Sequence, residues 1–419
     1  MVILNLYLVS LLLAPQLWLS GLKGIPVDYF LYPAWFVALL LSGRLPQFFR
    51  FQLADKLFLA FVVWIICGVL INGATEATVP QIYAYLKLFL LYKMVSATLV
   101  TVTEVKRVLL LFTILASVLA VETIQHKLGS TGLGWAGQTL DWIDPSVIRA
   151  GGSGRARWVG IFDGPGVFCV VFTIAVAVVL PFLDKDRPLR SRLFAVCVLA
   201  LLVVATYYTG SRGGLLATLA IVGIYIAIRG NVSLRSIMVG AAIAVTAFTL
   251  APPWMTQMRD ESNSAQHRVE MWAEGLDMMK EDPVFGIGRG NFKVYTQKLI
   301  AHNSAIELGG ETGLVGLMLW GCLLLVSFKS AIGAWQRGET ADHQTVGFSL
   351  VLILVGYLVS AMFVTLEYET LYFVLALCAV LGREHVETQS LGRWEVAGLA
   401  GCTGVGLVFL QVFVLAYMS

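Results

Sequence analysis

The chain has 419 residues, of which 58% are hydrophobic and only 13% are charged, and its mean hydropathy is +0.81. Soluble domains carry about 25% charged residues, so this composition excludes a water-soluble fold. The 29 basic and 26 acidic side chains leave a net charge of +3. That charge is too small and too dispersed for a nucleic-acid-binding protein.

Apolar stretches about as long as a bilayer-crossing helix recur along the whole chain, separated by short polar clusters. We therefore predict an all-α polytopic membrane protein with about 12–13 transmembrane helices. Residues 1–419 are predicted to form a single transmembrane domain. The predicted spans lie near residues 1–20, 25–42, 56–73, 79–101, 105–125, 162–183, 193–209, 213–228, 237–251, 303–329, 345–365, 369–382 and 396–418.

Lysine and arginine residues cluster in alternate loops, for example at positions 44–56, 106–107 and 185–192. Cytoplasmic loops carry such an excess, so these loops are predicted to face the cytoplasm. The segments between them then face outward: 126–161, the turn at 210–213, and 252–302. All six cysteines fall inside apolar stretches and indicate neither a disulfide framework nor a zinc site.

Arginines in the predicted outer segments are unexpected, because the positive-inside bias disfavours them there. Arg155 and Arg157 precede the span near residues 162–183, and Arg212 lies in the turn Ser211-Arg212-Gly213-Gly214. Guanidinium groups bind phosphate oxygens in pairs and keep their proton, so converging arginines indicate a diphosphate site. The alternatives are loop solvation or lipid-headgroup contact for Arg155 and Arg157, and snorkelling to the interface for Arg212.

The outer segment 252–302 contains an amphipathic pattern that predicts a helix lying on the membrane. Pro283 is predicted to end this helix, and Arg268 shares one face with Trp272, where its guanidinium can stack on the indole. A plain interfacial anchor explains the same pattern. Its apolar stripe is Val269, Trp272, Leu276 and Met279, and its polar face is Glu270, Glu274, Asp277 and Lys280.

A glycine-rich run follows at Gly286-Ile287-Gly288-Arg289-Gly290-Asn291. Glycines such as Gly288 free backbone amides to form an anion-binding nest, to which Arg289 would add full charge. The run does not follow a strand of a βαβ unit, so it is neither a Rossmann fingerprint nor a Walker loop. A purely structural turn is the alternative.

The most informative segment begins at His302. Ser304 and Glu307 fit a capping box that opens the following span, which puts His302 just outside a helix N-terminus. The positive end of that helix should keep the imidazole neutral, so that it can accept a proton from a sugar hydroxyl, and should favour a nearby phosphate. The alternatives are that His302 merely neighbours the cap and that Glu307 only caps, rather than also orienting His302 or an arginine.

These motifs, in this order, resemble the O-antigen ligase and O-antigen polymerase superfamily over roughly residues 155–380. The resemblance implies a GT-C-type bacterial inner-membrane glycosyltransferase that needs no metal and no cofactor. Its donor would be an undecaprenyl-diphosphate-linked glycan, and its active site would face the periplasm. The segments 126–161 and 252–302 would then be periplasmic.

Carried onto this sequence, the resemblance makes His302 the catalytic residue and Arg212, Arg268, Arg289 and Arg157 the diphosphate-binding residues. Glu307, Trp272 and Gly288 would support them. A ligase transfers the glycan to a lipid A-core sugar, whereas a polymerase extends another lipid-linked glycan. The substantial outer segment before His302 favours a ligase, although exopolysaccharide polymerases share the same frame.

Two other classes of protein fit the sequence less well. A transporter would place ionisable groups near the bilayer midplane on broken helices, whereas the unexpected charges here cluster at one face. A metal-dependent glycosyltransferase would need paired acids on the donor side. The pair Asp184 and Asp186 falls instead in a loop predicted to be cytoplasmic.

Overall fold

The structure, a computed structural model, describes residues 1–141, 154–162, 164–230, 261–297, 300–384 and 386–418. In these ranges the chain forms helices and no named strand, apart from two isolated β-bridges. The predicted span near 237–251 lies outside the described residues, as do 142–153 and 252–260 of the two predicted outer segments.

The α-helices, numbered in chain order, are α1 Val2–Leu13, α2 Pro15–Trp18, α3 Val27–Leu41, α4 Leu45–Phe48, α5 Leu53–Asn72, α6 Val79–Thr98, α7 Val102–Leu128, α8 Pro165–Val179, α9 Leu189–Tyr208, α10 Arg212–Arg229, α11 Glu261–Glu281, α12 Phe292–Tyr295, α13 Ser304–Arg337, α14 Ala341–Ala361, α15 Glu369–Gly382 and α16 Arg393–Met418. Eight helical segments in the described ranges are long and apolar enough to cross a membrane. The prediction of an all-α polytopic membrane protein is confirmed.

The chain divides into two compact units, each built from three separate stretches. Unit 1 comprises Met1–Leu45, Thr98–Met258 and Trp335–Ser360. Within it, α7 packs against α8 and α9, α10 packs against α8, and α1 packs against α3 and α7. Helix α8 is buried along almost its whole length and therefore forms the centre of this unit.

The first predicted span, residues 1–20, is interrupted. Helix α1 ends at Leu13, and Ala14 adopts a left-handed conformation with φ 45°. Pro15 then starts α2 at its first position, where a missing N–H costs nothing. The interruption follows from the proline, since its ring disfavours the α conformation in the residue before it.

Unit 2 comprises Pro46–Ala97, Arg259–Ala334 and Ala361–Ser419. Aromatic rings join its helices: Phe58 of α5 stacks on Tyr372 of α15 with ring centroids 4.5 Å apart. The Lys93 ammonium pairs with Asp55 at 3.0 Å, and both side chains are buried. This lysine, which interrupts a predicted span, is therefore held by an internal ion pair.

Helix α13 is broken at Gly313, which has φ 69° and ψ −178°. The break leaves backbone carbonyls of the preceding turn without their usual helical donors. Other groups of unit 2 replace them: the amides of Ile287 and Gly288 donate to Gly310 and Glu311, and the Trp64 indole donates to Thr312. The glycine-rich loop at 283–291 thus packs directly into the broken helix.

Candidate functional site

In unit 1, the predicted arginine turn joins α9 to α10. Ser211 caps α10, because its hydroxyl accepts a hydrogen bond from the Gly214 amide at 3.1 Å. Gly214 lies so close to Cys169 of α8 that any larger residue would clash. Arg212, the first residue of α10, is half-buried at this end of the unit.

The segment carrying Arg155 and Arg157 lies against the same turn. The Ala156 amide donates to the Tyr208 carbonyl oxygen at 3.0 Å. The Arg155 side chain crosses Gly210, where an added Cβ would come within 2.8 Å of its Cγ. Arg155 is close enough to Arg212 for the two charges to repel each other. The structure thus brings this predicted segment and Arg212 together within unit 1.

The two arginines of this segment are held differently. Arg155 forms an ion pair with Asp141 at 2.9 Å. Arg157 donates from Nε to the Thr139 carbonyl oxygen at 3.0 Å and from Nη2 to the Thr139 hydroxyl at 3.3 Å. Because neutral oxygens accept from Arg157, its positive charge is not cancelled by these contacts.

In unit 2, the predicted amphipathic pattern forms α11, and the helix ends at Glu281, two residues before Pro283. Its apolar stripe is buried against protein side chains, including Ile306 and Val414. The Trp272 indole donates from Nε1 to the Ala301 carbonyl oxygen at 3.0 Å. This bond ties the helix that carries Arg268 to the residue before His302.

His302 lies two residues before α13, in a left-handed conformation with φ 50°. A non-glycine residue rarely adopts this conformation, which costs about 1–2 kcal/mol and persists only when its surroundings hold it. The side chain is half-buried. His302 therefore occupies the predicted place outside a helix N-terminus.

The predicted capping box is wrong. The Asn303 side chain caps α13 instead, since its Oδ1 accepts from the amides of Ala305 and Ile306 at 3.0 and 3.2 Å. The Ser304 hydroxyl accepts from the Leu366 amide at 2.9 Å. Asparagine is as good a cap as serine, and Ser304 is already helical, so the cap falls one residue earlier than predicted.

Glu307 faces inward from the first turn of α13. Its Oε2 accepts from the Thr365 hydroxyl at 2.7 Å and from the Ala301 amide at 3.3 Å. Its Oε1 lies 3.9 Å from Nη1 of Arg289. Glu307 thus links the turn at His302 to a buried arginine.

The glycine-rich run does not present a free nest. The amides of Ile287 and Gly288 donate to carbonyl oxygens of α13, and the Asn291 amide donates to the Gly288 carbonyl oxygen. For these amides the predicted anion-binding nest is wrong, because backbone carbonyl oxygens of the protein already accept from them. Gly288, with φ 90°, serves the close packing of the loop.

Arg289 is buried with three carboxylates. Its Nη1 pairs with Glu311, its Nη2 with Glu367 at 2.6 Å, and its Nε donates to the Tyr85 hydroxyl at 3.0 Å. Burial opposes the charge, but the carboxylates outweigh it and hold the pKa of Arg289 well above its usual value. Burial raises the pKa of the Glu367 carboxyl.

Sequence reasoning missed Tyr85, Thr365 and Glu367. Glu367 adjoins the apolar stretch 369–382, and an acid at such a position is a signal that a partner exists. The partner could not be identified from the sequence, because Glu367 and Arg289 are 78 positions apart in the chain. The Tyr85 hydroxyl, which donates to Glu367 at 2.5 Å, gave no signal at all.

One comparison with known proteins finds a match to part of the sequence. Residues 197–321 match the family model described as O-antigen ligase. No curated protein matches the chain. The matched range includes Arg212, Arg268, Arg289 and His302 but not Arg157. Members of this family are glycosyltransferase-like enzymes, and the membrane-spanning helices agree with that assignment. Residues 197–321 of this chain are therefore similar to the O-antigen ligase family.

Proposed function

We propose that this protein is an O-antigen ligase-like glycosyltransferase. It moves a glycan from undecaprenyl diphosphate to a sugar hydroxyl of lipid A-core. The reaction takes place at the periplasmic face of the bacterial inner membrane, where both substrates are anchored among membrane lipids. The family match at residues 197–321 supports the class of reaction.

The turn at His302 is the single observation that carries this proposal. A half-buried imidazole is held in a left-handed turn at the N-terminus of α13. The positive end of the helix favours an anionic donor beside it. It also disfavours a positive charge on the imidazole. The neutral ring is then able to accept a proton from the acceptor hydroxyl.

In the proposed reaction, His302 removes the proton as the hydroxyl oxygen attacks the anomeric carbon of the donor sugar. The new carbon–oxygen bond forms while the bond from that carbon to the diphosphate breaks. Undecaprenyl diphosphate leaves with the bonding electron pair, and its growing charge needs stabilisation.

Arginines supply that stabilisation in the proposal, in place of a metal ion. Arg212, Arg268 and Arg157 are assigned to the diphosphate, with Trp272 and Glu307 supporting the turn at His302. Gly288 supports the loop that packs against α13. The diphosphate role predicted for Arg289 stays a prediction, and its carboxylate contacts favour another role, argued below.

A helical glycosyltransferase of the GT-C type fits this scheme. The same site would serve an O-antigen or exopolysaccharide polymerase, since the two reactions differ only in the acceptor. The family match at residues 197–321 does not distinguish a ligase from a polymerase.

Reconstitution separates these functions. Purified protein in proteoliposomes receives undecaprenyl-diphosphate glycan, either with lipid A-core or with more donor alone. A ligase forms a lipid A conjugate, whereas a polymerase forms a longer lipid-linked glycan. Arg212→Lys keeps the charge but loses the planar fork, so its transfer rate should fall about tenfold or more. Formation of neither product by the wild-type protein would contradict the proposed function.

A further inference from the structure

Each guanidinium nitrogen of Arg289 already donates to a protein side chain. Nε donates to Tyr85, Nη1 pairs with Glu311, and Nη2 pairs with Glu367. The residue is only 7% exposed. A diphosphate that took these nitrogens would leave buried carboxylates without their counter-ion, which is costly.

A third carboxylate, that of Glu307, connects Arg289 to the turn at His302. Glu307 lies 3.9 Å from Arg289 through one oxygen and accepts from the buried Ala301 amide through the other. The Thr365 hydroxyl donates to that second oxygen at 2.7 Å. The left-handed conformation of His302 begins at the next residue. The hydrogen bond that holds the Ala301 amide therefore also fixes the position of the His302 imidazole.

A second connection runs through Glu311. Its Oε1 accepts from the Phe292 amide at 2.8 Å, while its backbone carbonyl oxygen accepts from Gly288 at 3.0 Å. The loop that carries Arg289 is thus fixed to α13 on both sides of the arginine. Arg289 therefore faces the three carboxylates from a loop that is held on α13 at Gly288 and Phe292.

The charges explain why an arginine is needed here. The cluster holds one guanidinium and the three carboxyl groups of Glu307, Glu311 and Glu367, all of them at most 8% exposed. Without the guanidinium, these carboxyl groups would repel one another in a medium of low dielectric constant. Among the described residues, Glu367 Oε1 has no hydrogen-bond partner.

We propose that Arg289 is a positioning residue: it is the counter-ion of the buried Glu311 and Glu367 carboxyl groups and lies beside Glu307, which then holds the turn that presents His302. This inference rests on the proposed function, and it assigns Tyr85, Thr365, Glu311 and Glu367 to the same task. Arg289 acts through the turn and does not bind the donor.

The test compares Arg289→Gln, Glu311→Gln and the double variant in the reconstituted assay. Loss of the counter-ion displaces the turn, and a displacement of about 1 Å lowers kcat about 100-fold. Inhibition by added undecaprenyl diphosphate should keep its wild-type Ki, because the diphosphate site is intact. Arg393→Gln removes an exposed arginine of the same unit and should match the wild-type protein.

The double variant gives the sharpest result. Removing one carboxylate relieves the repulsion left by Arg289→Gln, so kcat should recover about tenfold relative to the single variant. A donor-binding arginine predicts the opposite: a Ki raised at least tenfold and no recovery in the double variant. That outcome would overturn the positioning role.

Two further measurements keep the test decisive. If Arg289→Gln does not fold, Thr365→Val removes one hydrogen bond at similar volume and should lower kcat about fivefold with the same Ki. An unchanged kcat in Thr365→Val would overturn the inference. Amide hydrogen exchange across residues 300–306 needs no substrate and should be faster in Arg289→Gln but not in Arg393→Gln. It therefore tests the positioning role even if the wild-type protein transfers no glycan.

Discussion

The Trp272 indole and the Ala301 backbone share a 3.0 Å hydrogen bond that fastens α11 to the residue before His302. Trp272 also packs near Phe413 of α16, with ring centroids 6.3 Å apart. A single side chain therefore connects the helix carrying Arg268, the proposed catalytic turn and the last helix of unit 2. Its indole N–H group faces the turn.

Trp272→Phe keeps an aromatic ring but removes that N–H. One hydrogen bond contributes about 1 kcal/mol, so kcat for glycan transfer should fall about fivefold. The measurement is the initial rate in proteoliposomes. Trp394→Phe changes an exposed tryptophan of α16 and serves as the control. Equal rates for Trp272→Phe and the wild-type protein would show that this bond does not position the turn.

Asn303→Ala removes the cap of α13. The amides of Ala305 and Ile306 then lose their acceptor, which should cost about 1 kcal/mol and lower the apparent Tm by about 2–4 °C. Asn303→Asp keeps an oxygen in the same place and should retain the wild-type Tm. Intrinsic fluorescence during heating in detergent measures both variants, and an unchanged Tm in Asn303→Ala would contradict the assignment of the cap.

Gly313→Ala should disrupt unit 2. The backbone at this position is left-handed, and an added Cβ would clash with the Val284 carbonyl oxygen. Gly223→Ala is the matched control, because that glycine lies in α10 with open space around it. We expect a large loss of folded protein on size-exclusion chromatography for Gly313→Ala alone. Normal yield and Tm would argue against the broken helix.

The proposed orientation is tested by cysteine labelling in intact cells. Thr131→Cys lies in the predicted periplasmic loop 126–161, and Asp186→Cys lies in a predicted cytoplasmic loop. A membrane-impermeant maleimide should label Thr131→Cys directly and Asp186→Cys only after the membrane is permeabilised. The reverse pattern would place the proposed active site on the wrong side.

Periodic features of the fold were predictable from the sequence, whereas long-range partners were not. The stripe Val269, Leu276 and Met279 predicted α11 because helical spacing is a local property. The Ser304 cap failed because Asn303 competes for the same amides one residue away. Which of two adjacent caps is used depends on the tertiary contacts of Ser304 with Val364 and Leu366.

The sequence alone assigns Arg157, Arg212, Arg268 and Arg289 to one diphosphate, because their charge is the same wherever they fold. In the structure these arginines have different surroundings. Arg157 donates to the neutral oxygens of Thr139, whereas Arg289 is enclosed by carboxylates. Glu311 and Glu367 reach Arg289 from distant parts of the chain, and no local pattern marks such a meeting. The surroundings of each arginine, rather than its presence, therefore indicate what it does.

The rate of glycan transfer by His302→Ala tests the central claim most directly. The wild-type protein, His302→Ala and the control His343→Ala are compared in the same proteoliposomes with the same donor and acceptor. Loss of a general base should lower the rate about 100- to 10,000-fold in His302→Ala, with normal insertion and Tm, while His343→Ala stays active. A His302→Ala variant that transfers glycan at the wild-type rate would contradict the account.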